Sequence, residues 1–204
     1  MRLLHTSDWH LGQTLHNYER TYEHQCFLDW LLETIVNEQA DALLIAGDVF
    51  DTANPSAGAQ KQLYRFLQQA RLRAPQLDIV VIAGNHDSPG RLEAPGPLLE
   101  AHGTSVIGHV VRGEDAEIAL DRHLVPLHDR HGAVQAWCLA IPFLRPGDVP
   151  RLPAPDPEAA PVDPYLGGIT LLYQQSFALA AARGAPQWKS CICTFPAPPP
   201  PPNP

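Results

Sequence analysis

Three short groups of polar residues have the types and spacing that metal-dependent hydrolysis requires. The groups are Asp8 with His10, Asp48 with Asp51, and Asn85 with His86 and Asp87. Carboxylate and amide oxygens with imidazole nitrogens, and no thiolate, suit Mn²⁺, Mg²⁺, iron or zinc outside Cys-rich structural sites. Two cations held about 3.5 to 4 Å apart by such groups can clamp a phosphodiester and activate a water. These residue types therefore predict hydrolysis of a phosphate ester.

The residues within these groups have different predicted roles. The predicted metal ligands are Asp8, His10, Asp48 and Asn85. Asp48 is the natural bridge between two ions, and His86 has the right chemistry to protonate a leaving oxygen. A carboxylate such as Asp51 or Asp87 would hold the His86 ring in the required tautomer. Ordinary turns are the alternative for each group, because Gly, Asp and Asn are the commonest turn residues.

Each polar group follows a short apolar run that predicts a buried strand. The three runs are Arg2–His5, Ala42–Ala46 and Ile79–Ala83. Helices are predicted between them, over Tyr18–Val36 and from an N-cap at Asn54 to Pro75. Since ligands in open α/β sheets bind beyond the carboxyl ends of the strands, this β-α-β-α-β order would bring the three groups together.

The second half of the chain has a different pattern. A fourth strand is predicted over Thr104–Ile107, after a short helical segment that contains Pro95 and Pro97. Short apolar runs at 117–120, 123–127 and 133–141 then predict hairpins in a second, more antiparallel sheet. Residues 142–164 are proline-dense and predicted irregular, and a helix is expected over Tyr165–Arg183.

Composition limits the class of protein. The chain has 204 residues, 45% of them hydrophobic, which is enough for one domain with a core. A formal charge of −8 excludes a general polycation, so contact with a nucleic acid needs a local basic face, metal ions or a partner. Cys26 and Cys138 are predicted buried thiols. With neither a leader nor an apolar run of about 18 residues, a cytoplasmic location is expected.

The last stretch, 185–204, differs from the rest, so the predicted division is a domain over 1–184 and a proline-rich, disordered tail. A non-native tail is favoured, and a ligand for an aromatic groove is the alternative. Cys191 and Cys193 lack the further ligands that a tetrahedral zinc site needs.

In these motifs the sequence resembles a known superfamily. D-x-H, then G-D-x-x-D, then G-N-H-D, each after an apolar strand, resembles the calcineurin-type metallophosphoesterases. More narrowly, SDWHLG, GDVFDTANPS and GNHDSPGRLEAP are similar to the SbcD components of the bacterial SbcCD nucleases. The resemblance implies an α/β fold, a four-layer α/β/β/α sandwich that would here be incomplete at its C-terminal side.

The resemblance also implies an activity, cofactors and partners. These are a dinuclear Mn²⁺ site, with Mg²⁺ or another divalent ion as an alternative, and ATP-assisted exonuclease and endonuclease cleavage of duplex DNA ends and hairpins. The partner is SbcC, an SMC-like ATPase, in a heterotetramer that serves DNA repair, recombination and replication. Carried over by position, Asp8, His10, Asp48 and Asn85 are metal ligands, His86 is the catalytic acid, and Asp51 orients that histidine.

The family pattern continues beyond what these residues contain. It includes a G-H motif, a G-H-x-H motif, a DNA-capping region and an ATPase-binding segment, whereas no histidine follows His131 here. The expectation is half of a dinuclear site, with little or no nuclease activity on its own. Two alternatives stay open: another metallophosphoesterase, acting on protein phosphate, cyclic nucleotides or a nucleotide-sugar lipid, and a non-catalytic remnant or interaction module.

Overall fold

The computed structural model describes residues 1–113, 117–152 and 163–183, and the backbone of Cys191–Cys193. In chain order the elements are β1 (Leu3–Thr6), β2 (Thr14–Leu15), β3 (Tyr18–Glu19), α1 (Thr21–Asn37), β4 (Ala42–Ala46), α2 (Ala57–Arg73), β5 (Asp78–Ile82), α3 (Pro89–Glu93), α4 (Gly96–Glu100), β6 (Thr104–Ile107), a 3-10 turn (Leu120–His123), β7 (Leu124–His128), β8 (Val134–Leu139), α5 (Pro164–Ala182) and β9 (Cys191–Cys193).

Four parallel strands form the main sheet, in the order β1-β4-β5-β6. Thr6 is paired with Ile45, and Ile45 in turn with Val81, so the first three strands end at nearly the same level. The loops that follow β1, β4 and β5 therefore share one edge of the sheet. The predicted parallel order of these strands is confirmed.

The side chains of β4 show why the sheet is covered on both faces. Leu43 and Ile45 pack into the core that α1 and α2 form on one side. Ala42 and Leu44 face the other way and pack against β7 and β8 of the second sheet. On the far side of that sheet, α5 contributes Leu172 to a third cluster. The layers are thus helix, sheet, sheet and helix, and the predicted α/β fold class is confirmed.

The first two long helices, α1 and α2, begin later than the sequence predicts. Tyr18 and Glu19 pair with β2 in a small hairpin, whose turn residues His16 and Asn17 have φ angles of +49° and +67°. This pairing removes them from α1, which begins at Thr21. Helix α2 is capped by Ser56, whose hydroxyl accepts a hydrogen bond from the Ala59 N–H at 3.2 Å, and not by Asn54.

The second sheet contains the predicted antiparallel pair, β7 with β8. The run at 117–120 forms only an isolated bridge at Ile118 and the start of a 3-10 turn, so the predicted strand there is wrong. The backbone of β9 lies parallel to β8 within the stretch predicted as a tail, and the other residues of 184–204 lie outside the described residues.

Two further features of the described residues bear on the sequence predictions. Cys138 is buried as predicted, whereas Cys26 is exposed on α1, so the prediction for Cys26 is wrong. Leu28, two positions later on the same helix, faces the core, but the position of Cys26 faces outward. No helix in the described ranges combines the length and apolar character that crossing a membrane requires.

Candidate metal centre

The loop after β1 is hydrogen-bonded along the loop after β4. The Asp8 N–H donates to the Gly47 carbonyl at 3.1 Å, and the His10 N–H donates to the Asp48 carbonyl at 2.9 Å. The Leu11 N–H donates to the next carbonyl along that loop, at 2.9 Å. These main-chain hydrogen bonds alone place the first two polar groups side by side, without any contribution from side-chain contacts.

Three of the predicted ligands have an unusual backbone conformation. Asp8, His10 and Asp48 have φ angles of +57°, +47° and +47°, in the left-handed region that few non-glycine residues adopt. Each such residue costs of the order of 1 to 3 kcal/mol, so the conformation persists only where surrounding contacts fix it. Gly47, with φ of +87°, makes the same kind of turn without a side chain.

Asp8, Asp48 and Asn85 line one pocket of about 300 Å³ at the carboxyl edge of the main sheet. One of these residues comes from each of the three loops, so the predicted convergence is present. His5 and Ser7 also line the pocket, although no motif in the sequence predicted them as site residues. Their position just before Asp8 is the feature that would have identified them.

His10 lies between the carboxylates of the first two groups. Its Nε2 is 4.0 Å from Oδ1 of Asp8 and 3.9 Å from Oδ2 of Asp48. These three residues form one set with the proximity that a shared metal ion requires. Donor atoms bound to one ion at about 2.0 to 2.2 Å lie roughly 3 to 4 Å apart, so the spacing fits without large movement.

Asp51 contacts both histidines, through two different groups. Its carboxylate Oδ1 is 3.3 Å from Nδ1 of His10, within ion-pair distance but not aligned for a hydrogen bond. Its main-chain oxygen accepts a hydrogen bond from Nδ1 of His86 at 2.8 Å. The sequence predicted that the Asp51 carboxylate would orient the His86 ring. In the structure the Asp51 carbonyl makes this contact, and the carboxylate faces His10.

The surroundings of His86 favour its protonated form. The hydrogen bond to the Asp51 carbonyl raises the pKa of His86, and the nearby carboxylates of Asp48 and Asp51 add to this shift. Because a carbonyl oxygen only accepts, Nδ1 must carry a proton, which leaves Nε2 for a substrate. The ring is exposed and stands perpendicular to that of His10, with 5.0 Å between centroids.

Asp87 is buried, and the hydrogen bond of the His86 ring goes to Asp51 and not to the Asp87 carboxylate. Its carboxylate accepts hydrogen bonds from the main-chain N–H groups of Val49, Phe50 and Gly84. Burial raises the pKa of the Asp87 carboxyl, whereas these hydrogen bonds act in the opposite direction. The Asp87 carboxylate therefore binds main-chain N–H groups and does not hold the His86 ring.

The donor set fits a divalent metal. It consists of carboxylate and amide oxygens and one imidazole nitrogen. Within it, Oδ2 of Asp48 lies 3.9 Å from His10, while Oδ1 of Asp48 accepts a hydrogen bond from the main-chain N–H of His86 at 2.9 Å. Asp8, His10 and Asp48 would hold one ion, and Asn85 with Asp48 a second. A larger cleft, of about 840 Å³, lies between α2 and α4 and is lined by none of these residues.

A family comparison agrees with this geometry. The model of the calcineurin-like phosphoesterase family matches residues 1–132, which include every residue of the three groups. The chain belongs to this family. The expected superfamily is confirmed by that match. Metallophosphoesterases use divalent metals, and the His and Asp donor set of this chain would fit one.

Three curated relatives carry the same name, that of the SbcD component of the nuclease SbcCD. The relative from Rhodobacter capsulatus is 51% identical over 152 residues, covering 74% of this chain and 37% of its own length. The relative from Escherichia coli K12 is 40% identical over 178 residues, or 87% of this chain and 42% of its own. That from Bacillus subtilis is 48% identical over 109 residues. The chain is an SbcD homologue that spans about two fifths of the first two relatives.

Proposed function

We propose that this chain supplies the N-terminal part of the catalytic site of a metal-dependent DNA nuclease of the SbcD type, which hydrolyses phosphodiester bonds. The observation that carries the proposal is the shared pocket of Asp8, Asp48 and Asn85, with His10 between two of the carboxylates and His86 beside it. The similarity to relatives named as SbcD of the nuclease SbcCD supports DNA as the substrate in this proposal.

In this proposal the protein's own residues hold and orient the reactants. When bound, Mn²⁺ supplies Lewis-acid polarisation of a phosphate oxygen and a source of nucleophile at neutral pH. Asp8, His10, Asp48 and Asn85 hold the ions. His86 donates the proton on Nε2 to the leaving oxygen of the diester, and the Asp51 carbonyl keeps the ring in position through Nδ1.

A metal titration of the purified chain tests the first half of the proposal. Isothermal titration with Mn²⁺ should show binding that Asp48→Asn weakens strongly, since this change removes a shared carboxylate. Asp29→Asn is the matched control, because Asp29 is an exposed carboxylate on α1 that pairs with Gln25. The absence of Mn²⁺ binding by the wild-type chain would overturn the metal centre.

A chimera tests the substrate. The part of this chain that aligns with the Escherichia coli relative would replace the corresponding residues there, so that the site is tested in a full-length protein. The proposal expects Mn²⁺-dependent degradation of linear duplex DNA. Hydrolysis of bis(p-nitrophenyl) phosphate without DNA cleavage would indicate another phosphodiesterase, and a preference for p-nitrophenyl phosphate would indicate a phosphatase.

Partners and location follow from the same similarity. We propose that the protein works with SbcC, an SMC-like ATPase, on duplex ends and hairpins, and does so in the cytoplasm. The support is the name shared by the curated relatives. Co-purification with this ATPase, and ATP-stimulated cleavage of hairpin DNA, would test this part.

A further inference from the structure

The Asp87 carboxylate ties together two of the three loops that carry the predicted ligands, the loop of Asp48 and the loop of Asn85. Its Oδ1 accepts a hydrogen bond from the Phe50 N–H at 2.9 Å, and its Oδ2 accepts one from the Val49 N–H at 3.1 Å. The same Oδ2 accepts a bond from the Gly84 N–H of its own loop at 2.9 Å. The loop after β4 is thereby fixed to the loop after β5 directly beside Asp48.

A second carboxylate makes the reverse connection. Oδ1 of Asp48, in the loop after β4, accepts a hydrogen bond from the His86 N–H in the loop after β5, at 2.9 Å. Each loop therefore contributes one carboxylate that binds the main chain of the other. Only Asp48 also faces the metal pocket, so the contribution of Asp87 to the site must be indirect.

The chemistry of the Asp87 contact requires a carboxylate. Its side chain is only 2% exposed, and its hydrogen-bond partners are all main-chain N–H groups. Both of its oxygens accept, whereas an amide has a single acceptor oxygen. In Asp87→Asn, whichever way the amide is turned, an NH₂ group faces at least one buried N–H, and a hydrogen bond is replaced by a repulsive contact.

We propose that Asp87 is a positioning residue that sets the metal affinity of the site by fixing Asp48 relative to Asn85. The inference rests on the proposed function, because it concerns the metal that these two residues are proposed to share. Ligands held in place before an ion arrives need no reordering when it binds. Loss of groups that orient metal ligands typically weakens metal binding about 10- to 100-fold.

Asp41 offers a matched control for this test. It is also a buried carboxylate, 6% exposed, and it accepts a main-chain hydrogen bond from the Arg2 N–H at 2.6 Å. It precedes β4 and so lies at the opposite edge of the main sheet from the metal pocket. Asp41→Ala should lower the free energy of unfolding without reaching the metal pocket.

The experiment is isothermal titration of the full chain with Mn²⁺. We expect Asp87→Asn to weaken binding about 10- to 100-fold, and Asp41→Ala to bind Mn²⁺ like the wild type. Equal Mn²⁺ affinity of wild type and Asp87→Asn would overturn the inference alone. A wild-type chain that binds no Mn²⁺ would overturn the proposed function, so the two failures are distinguishable.

Amide hydrogen exchange on the wild-type chain covers the case in which Asp87→Asn does not fold. The N–H groups of Val49, Phe50 and Gly84 should exchange slowly without added metal, because Asp87 binds them in the absence of any ion. Exchange of Val49 and Phe50 at the rate of exposed loop amides would overturn the inference, whatever the variant does.

Discussion

The main-chain oxygen of Asp51 accepts a hydrogen bond from Nδ1 of His86 at 2.8 Å, while its carboxylate lies 3.3 Å from Nδ1 of His10. One residue thus acts on two imidazoles that have different proposed roles. In both rings the contact is at Nδ1, which leaves Nε2 for the metal pocket in His10 and for a substrate in His86. The two contacts can be separated by mutation, because a side-chain change leaves the carbonyl in place.

Asp51→Asn should therefore affect metal binding more than proton donation. The change removes the charge beside His10 but keeps the main-chain acceptor of His86. We expect Mn²⁺ affinity, measured by calorimetry, to fall about 10-fold or more, and kcat of the chimera at saturating Mn²⁺ to change little. If kcat fell at saturating Mn²⁺ while affinity stayed the same, the main effect of the carboxylate would be its contribution to the pKa of His86 and not its contact with His10.

His86→Ala should show the opposite pattern. His86 is proposed to donate a proton and is not a predicted ligand, so Mn²⁺ affinity should be retained. Removal of a general acid typically lowers the rate about 10²- to 10⁴-fold, and this drop should appear in kcat of the chimera. His131→Ala, at an exposed loop histidine, is the control. A large loss of Mn²⁺ binding in His86→Ala would contradict the assignment.

Gly84→Ala should disrupt the site through contact alone. A methyl group on Gly84 would overlap both the main chain and the carboxylate of Asp48. We expect the free energy of unfolding to fall by about 1 to 3 kcal/mol, as in other overpacked positions, with weaker Mn²⁺ binding. Gly90→Ala is the matched control, since no atom lies within 4 Å of the added methyl group. Equal effects in both variants would argue against a local contact.

His123 should make stability depend on pH. It is buried, its Nδ1 donates to the Ala140 carbonyl at 3.2 Å, and burial lowers its pKa. In the unfolded chain histidine titrates near about 6.5. Below that pH the unfolded state binds more protons than the folded state, so the free energy of unfolding falls as pH falls, until His123 is protonated in the folded state too.

Urea unfolding at several pH values checks this prediction. His123→Asn, whose amide can still donate to Ala140, should reduce the fall in stability between about pH 7 and pH 5. Some fall should remain, because burial also lowers the pKa of His24. His131→Asn replaces an exposed histidine and should leave the profile unchanged. An identical profile for His123→Asn and the wild type would contradict the prediction.

The order of the elements and the main ligand set could be predicted from residues close together in sequence. Ala42–Ala46 is a strand with the predicted bounds, because a short run that is apolar throughout suits a strand covered on both faces. The convergence of Asp8, Asp48 and Asn85 followed from a general property of parallel sheets, whose carboxyl ends share one edge. The start of α1 could not be predicted this way, because the β2–β3 pairing competes for Tyr18.

Sequence alone therefore determined which three polar groups meet at the candidate site, although not the contribution of His5 and Ser7 to the pocket. Each motif combines a strand, a turn and a few polar side chains within about ten positions. Only the tertiary structure decided how those residues are used. The Asp51 carbonyl rather than its carboxylate contacts His86, and Asp87 binds the main chain of a loop 37 and 38 positions earlier. Both contacts depend on how two loops are placed relative to each other. Long-range packing sets this placement, so a local sequence pattern cannot predict it.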